Sequence, residues 1–291
     1  MGRLILNADD FGLTAGVNRA IMELHRAGVL TSTTLMARAA ASSEALRSAR
    51  ATPTLGVGCH VVLVDGDPVL PAREIPTLVD ERTGRFQPTL GAFLKRLLAG
   101  RIRSSEIEAE AGAQIAFLQA EGVALTHIDT HKHVHMLPAV LKPVLRAAAS
   151  HSIRAIRNPF EPAWSLRATP GAPWLRRAQV HLLRQLLPEF RKHVSAAGFA
   201  TTDGVLGVLA TGALDSTAVS SLLRSIPPGT WELVTHPGYN DGDLAKAGTR
   251  LLASREVERE ALLALREFPG IELISFAGLD ADGAPEQDRG R

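Results

Sequence analysis

The sequence predicts an α/β fold of parallel β/α architecture, a barrel of seven or eight strands, regular or distorted, and not a small open sheet. Two observations carry this. Short apolar runs alternate with segments of helical spacing throughout the chain, whose 291 residues suffice for a large core. The polar residues with the most chemistry, Asp9, Asp10, His60, Asp129, His131 and His236, all fall where strands are expected to end. That is where β/α folds gather their sites.

The first strand covers residues 4–7 and runs into Asp9 and Asp10. Thr14 caps a helix whose apolar positions Val17, Ile21 and Leu24 recur at helical spacing, and Gly28 closes it. The β-branched run 31–36 reads as a strand, 42–51 as a helix stopped near Pro53, and 55–62 as a strand with His60 toward its end. Residues 65–90 are rich in glycine, proline and charge, and are long enough to cover a site. Ser105 and Glu108 read as a capping box for a helix to about Gly122. Further strands are expected at 123–129, 153–157, 204–209, 231–235 and 271–276. Helices are expected at 133–149 and from a Ser254 cap to about Phe268. Residues 1–278 would form one domain, and 279–291 a polar, disordered tail.

Composition narrows the function. A net charge of +2 gives no strong field for nucleic acid. One cysteine rules out an intrachain disulfide framework and a four-thiolate zinc site. No apolar run reaches roughly 18 residues, so no spanning helix is expected. The apolar stretch at the N-terminus is short and ends in two aspartates, which reads as a buried strand and not a signal peptide. The cytoplasm is the expected location, and a homodimer the common default.

The stretch THIDTHKHVH, residues 126–135, holds four of the ten histidines. On a strand His127, Asp129 and His131 point one way. Three proton-active groups on one face are expensive to bury unless something binds them, and a metal is the simplest answer. His131 is the ligand candidate, with His127 and Asp129 orienting ligands or binding substrate. In NADDFG, Asp10 would supply an oxygen ligand and Asp9 a general base. His60 in GVGCH completes the set, while Cys59 points to the opposite face as a small apolar residue. One divalent ion is implied, zinc first, with magnesium, cobalt, nickel or iron open. His236, in VTHPGY, could protonate a leaving amine if it is charged near neutral pH. Arg157 and Tyr239 are candidate substrate contacts. Structural readings compete at each position: turn-capping aspartates, hydrogen-bonded strand-end histidines, a solvated histidine-rich loop. The parts alone specify metal-assisted hydrolysis, not its substrate.

These four motifs, spread in order from residue 4 to about 278, resemble the YdjC family of carbohydrate deacetylases. The resemblance implies a distorted TIM-like (β/α) barrel. It also implies a metal held by Asp10, His60 and His131, with Asp9 as base and His236 as acid. The substrate would be an N-acetylated sugar or glycolipid, cleaved to acetate and a free amine. The segments VNRAI, AGVLTSTTLM, VVLVDGDPVLP, HKHVHMLPAVL and IRAIRNPFEP are similar to the hopanoid-biosynthesis branch, HpnK. Lys132 stands where chitooligosaccharide deacetylases carry a further histidine. That branch implies N-acetylglucosaminyl hopanoid as substrate and peripheral contact at the inner membrane. Soluble N-acetyl sugars such as chitooligosaccharides, or a non-catalytic sugar- or metal-binding role, are the alternatives. Residues 174–194 carry five Arg or Lys against one Glu among bulky apolar residues. They read either as a lipid-facing element or as a barrel helix with a solvated basic face, interrupted by Pro188.

Overall fold

The computed structural model describes residues 1–169 and 171–279. The expected C-terminal tail lies outside the described residues except for Leu279. The strands are β1 (Gly2–Phe11), β2 (Ser32–Leu35), β3 (Gly56–Val61), β4 (Leu125–Thr130), β5 (Gly204–Leu206), β6 (Gly229–Thr235) and β7 (Ile271–Leu273). They form one seven-stranded parallel sheet in the order β4-β3-β2-β1-β6-β5. One edge of β1 is shared: residues 2–4 pair with β7, and the residues from Asn7 onward pair with β2.

Beyond β4 the wall continues through single bridges, Ile128 to Ile156 and Ala155 to Ala200, and curls toward β5. The result is a distorted TIM-like (β/α) barrel. The strand expected at 153–157 is present only as these bridges. Asn158 bonds the Thr202 carbonyl and the Phe160 N–H, and Pro159 has no donor to offer a ladder, so the pairing is interrupted there before the Phe160 carbonyl accepts from Val205 N–H of β5 at 3.2 Å.

The helices are α1 (Ala15–Arg26), α2 (Ser42–Arg50), α3 (Leu90–Leu98), α4 (Ser104–Ala120), α5 (Pro138–Ser150), α6 (Ala163–Ala168), α7 (Trp174–Leu183), α8 (Leu187–Ala196), α9 (Ser216–Arg224), α10 (Gly242–Lys246) and α11 (Ala253–Leu263). Thr14 caps α1 as expected, its hydroxyl accepting from Val17 N–H at 3.2 Å. The Ser105 capping box does not form. α4 starts at Ser104, two residues before a Ser105 cap would place it, and Glu108 is taken by Arg146 at 2.7 Å. Ser254 likewise lies inside α11, whose cap position is Leu252. Pro188 does interrupt the 174–194 helix, standing in the first turn of α8.

Alternation along β1 sets the layers. Leu4, Leu6 and Ala8 join the large core between sheet and helices. Ile5 packs inside the barrel with Ala155, Phe276 and Leu279. The 65–90 stretch is held down by buried carboxylates of α4. Glu106 accepts from Thr77 N–H, and Glu110 accepts from Val69 and Leu70 N–H. Asp65 reaches Lys132 at 2.8 Å, beside His131. Among the described residues no helix is long and apolar enough to cross a membrane.

Candidate metal-dependent active site

Asp9 and Asp10 would face opposite sides of a regular strand. Here the β1–β2 register shifts between Ala8 and Phe11, and Asp10 adopts a left-handed φ of 66°. This irregularity turns both carboxylates into the carboxyl-end mouth of the barrel. His60 enters from the end of β3. His131 enters from the turn after β4, where Lys132 and His133 also have positive φ.

Three donor atoms converge. His60 Nε2 lies 3.5 Å and His131 Nδ1 3.4 Å from Asp10 Oδ1, and the two nitrogens are 3.3 Å apart. Asp10 Oδ1 is buried and has no hydrogen-bond partner. An orphan carboxylate oxygen facing two imidazole nitrogens is the donor set of a divalent cation, which would satisfy all three lone pairs together. A second set, Asp9, His60 and Asp129, is equally compact. It already contains the Arg157 guanidinium between its two carboxylates, so its charge is met.

Each donor is fixed from behind. Nδ1 of His60 bonds Asp129 Oδ1 at 2.8 Å, with Thr34 Oγ1 at 3.1 Å, which leaves Nε2 for the triangle. Asp10 Oδ2 pairs with Arg255 Nη2 at 2.5 Å. Arg157, wholly buried, forks onto Asp9 at 2.6 and 2.8 Å, onto Glu232 at 2.7 and 2.8 Å, and onto Asp129. Asn7 donates to Asp9 at 2.9 Å.

This network sets the charges. Burial favours the neutral form of Asp9, but Arg157 and His60 outweigh it and hold the carboxyl below its ordinary range. Asp10 is likewise held well below, against burial, by Arg255, His131 and His60. Burial favours neutral His60 too, yet Asp129, Asp10 and Asp9 raise it to about 10. Without a cation, an imidazolium proton fills that role. Burial pushes Glu232 up to about 7.

His236 follows β6, 3.8 Å from Asp9 Oδ2, with its backbone N–H given to Glu258 at 2.6 Å. Burial, with Arg255 and Arg157 nearby, outweighs the two aspartates and lowers it to about 4. The resting ring is therefore neutral near pH 7, so the charged form that a proton donor needs must be reached during turnover.

The structure thus brings together Asp9, Asp10, His60, Asp129, His131, Arg157 and His236. Of these, His131 and His236 open most to solvent, at 20% and 14% of their side chains. Asp129 and Arg157 lie wholly behind that face. His127 is buried deeper in the barrel, stacked on Phe276 at 3.7 Å, and burial lowers it to about 3. Tyr239 sits apart, its hydroxyl on Glu23 at 2.8 Å and its ring against Arg19 and Arg259. Sequence reasoning passed over Asn7, Thr34, Glu232 and Arg255. Glu232 carried a signal, since a charge inside the apolar run TWELVT demands a buried cation.

The family profile described as YdjC-like protein matches residues 3–266. The chain belongs to the YdjC family. A Brevibacillus brevis member named carbohydrate deacetylase is 34% identical over 95% of this chain and 99% of its own. A human protein of the same name is 31% identical over 81% of this chain and 75% of its own. A crystal structure from Enterococcus faecalis, described as a cellobiose-phosphate cleavage protein, superposes with a TM-score of 0.74. It is 28% identical and covers 94% of this YdjC chain and 97% of its own.

Proposed function

We propose that this YdjC protein hydrolyses the acetamide of an N-acetylated carbohydrate, releasing acetate and a free amine. One observation carries the reading. An ionised carboxylate, Asp9, stands beside both an imidazole and a three-donor cation triangle at the mouth of the barrel. The deacetylase names of relatives that align over most of this chain support the substrate class.

Asp10, His60 and His131 would hold the ion. The chemistry of the set favours zinc. Two imidazole nitrogens and one carboxylate oxygen, 3.3–3.5 Å from one another, make a nitrogen-rich donor set of the kind zinc takes. When bound, the cation supplies an acidified water and polarises the amide carbonyl. Asp9, kept ionised by Arg157, accepts the water proton, and its low basicity is why it needs that water acidified. His236, neutral at rest, collects a proton before giving one up, and Asp9 at 3.8 Å is the group that can relay it toward the leaving nitrogen. Asp129 and Arg157 serve by holding His60 and Asp9.

The test is acetate release from N,N′-diacetylchitobiose by zinc-loaded protein. Turnover supports the reading. Zinc binding without acetate release from any N-acetyl sugar, free or lipid-linked, leaves a non-catalytic binding protein.

A second reading, a lipid-linked sugar such as N-acetylglucosaminyl hopanoid, is favoured by α7. Its Arg176 and Arg177 turn inward onto backbone carbonyls, while Trp174, Leu175, Leu182 and Leu183 face solvent. Trp174 is 74% exposed. An apolar stripe turned outward suits the interface of a lipid bilayer. Activity on the hopanoid in vesicles, with none on chitobiose, would select this reading.

A further inference from the structure

We propose that Arg255 is a positioning residue that restricts Asp10 to one-oxygen coordination and so keeps the cation four-coordinate. The inference rests on the metal-site reading above.

Arg255 reaches the site from the first turn of α11, wholly inside the protein. Its Nε donates to the Leu251 carbonyl at 3.1 Å, which fixes the plane of the guanidinium. Nη2 then meets Asp10 Oδ2 at 2.5 Å. Its backbone carbonyl accepts from Gly238 N–H at 3.1 Å, two residues beyond His236. A Cβ at Gly238 would stand 3.1 Å from Arg255 Cδ, so the chain passes the arginine closely there.

A carboxylate offers two oxygens, and a hard divalent ion can take both. Here one oxygen is occupied by a charge-assisted hydrogen bond, and the other is bare and aimed at the two histidines. Denticity is therefore decided by an arginine that does not itself touch the ion. With one oxygen and two nitrogens supplied, a fourth position stays open for water or substrate. A bidentate Asp10 would crowd that position and lower the acidity of what occupies it.

Cobalt(II) is the probe, because four-coordinate cobalt absorbs visible light strongly and five- or six-coordinate cobalt weakly. The unaltered protein is expected to show the strong absorption. Arg255→Met, in which Asp10 can offer both oxygens, should still bind cobalt but show the weak absorption. Arg255→Lys, which keeps a charged donor for Asp10 Oδ2, should recover part of the strong absorption. An unchanged spectrum in a folded Arg255→Met protein overturns the inference while leaving the metal site standing. A weak spectrum in the unaltered protein overturns it without any variant, so the test survives even if Arg255→Met fails to fold. Absence of cobalt binding in the unaltered protein removes the metal site itself.

Discussion

Asp129 accepts the Nδ1 proton of His60 at 2.8 Å, and neither side chain is open to solvent. This single bond selects the tautomer that leaves Nε2 free for the donor triangle. Asp129 also pairs with Arg157, so its charge is shared between His60 and the guanidinium that holds Asp9. Asp129→Asn keeps the shape but removes the charge. It should weaken zinc binding by about 10–100-fold, as read by competition with a chelating dye. Unchanged affinity would show that the bond does not tune the ligand.

Asp9 behaves differently, because its hydrogen bonds go to Arg157, Asn7 and Thr34 and none goes to the donor triangle. Asp9→Asn is expected to keep its metal while turnover falls by about 10²–10⁴-fold. Metal content by mass spectrometry, set beside acetate release, separates the two effects. A variant that lost metal and activity together would make Asp9 a ligand and not the base.

Protonation of His60 ties metal uptake to pH. In the metal-free protein its pKa is raised from 6.5 to about 10, so it contributes stability that is fully present below pH 6.5. That contribution is lost as pH rises through about 10. The cation replaces this proton, and Asp10 is already ionised. Zinc binding near pH 8 should therefore release about one proton, and affinity should climb with pH up to about 10. Calorimetry in buffers of differing ionisation enthalpy measures the release, and a value of zero would contradict the charge state assigned to His60.

Much of this candidate site was legible because its side chains stand at or just after strand ends, where period and apolar runs locate them. Asp9, Asp10, His60, His131 and His236 are all of that kind. What stayed hidden is what long-range folding decides. Nothing near Arg255 in sequence marks it as a partner of Asp10, 245 residues away. His127 and Asp129 share a strand face, as their spacing predicted. Height along the barrel axis, which spacing does not give, puts one in the core and the other at the mouth. The strand expected at 153–157 is reduced to single bridges, because β-branched and apolar character says nothing of the side-chain bonds of Asn158 that interrupt the ladder. The helix starts at 104 and 253 each stand two residues before the starts that Ser105 and Ser254 caps imply, and at the first of them Arg146 claims the Glu108 that the cap would need.

The buried position of His127 gives a stability test independent of the metal. Its ring lies between Phe276 on one side and the Cα of Gly58 on the other. A Cβ built on Gly58 would come within 2.6 Å of two ring atoms, closer than any packing tolerates. The ring cannot retreat, because Phe276 stacks on it at 3.7 Å and Thr126 Oγ1 holds its Nδ1 at 2.9 Å. Gly58→Ala should therefore destabilise the fold by about 1–3 kcal/mol, read as a lowered denaturant midpoint. Shortening the ring's side of the contact should relieve the clash. The pair Gly58→Ala and His127→Ala together should cost less than the sum of the two separate changes. Strict additivity would mean that the two residues do not press on each other, and that His127 is held in the barrel by other contacts.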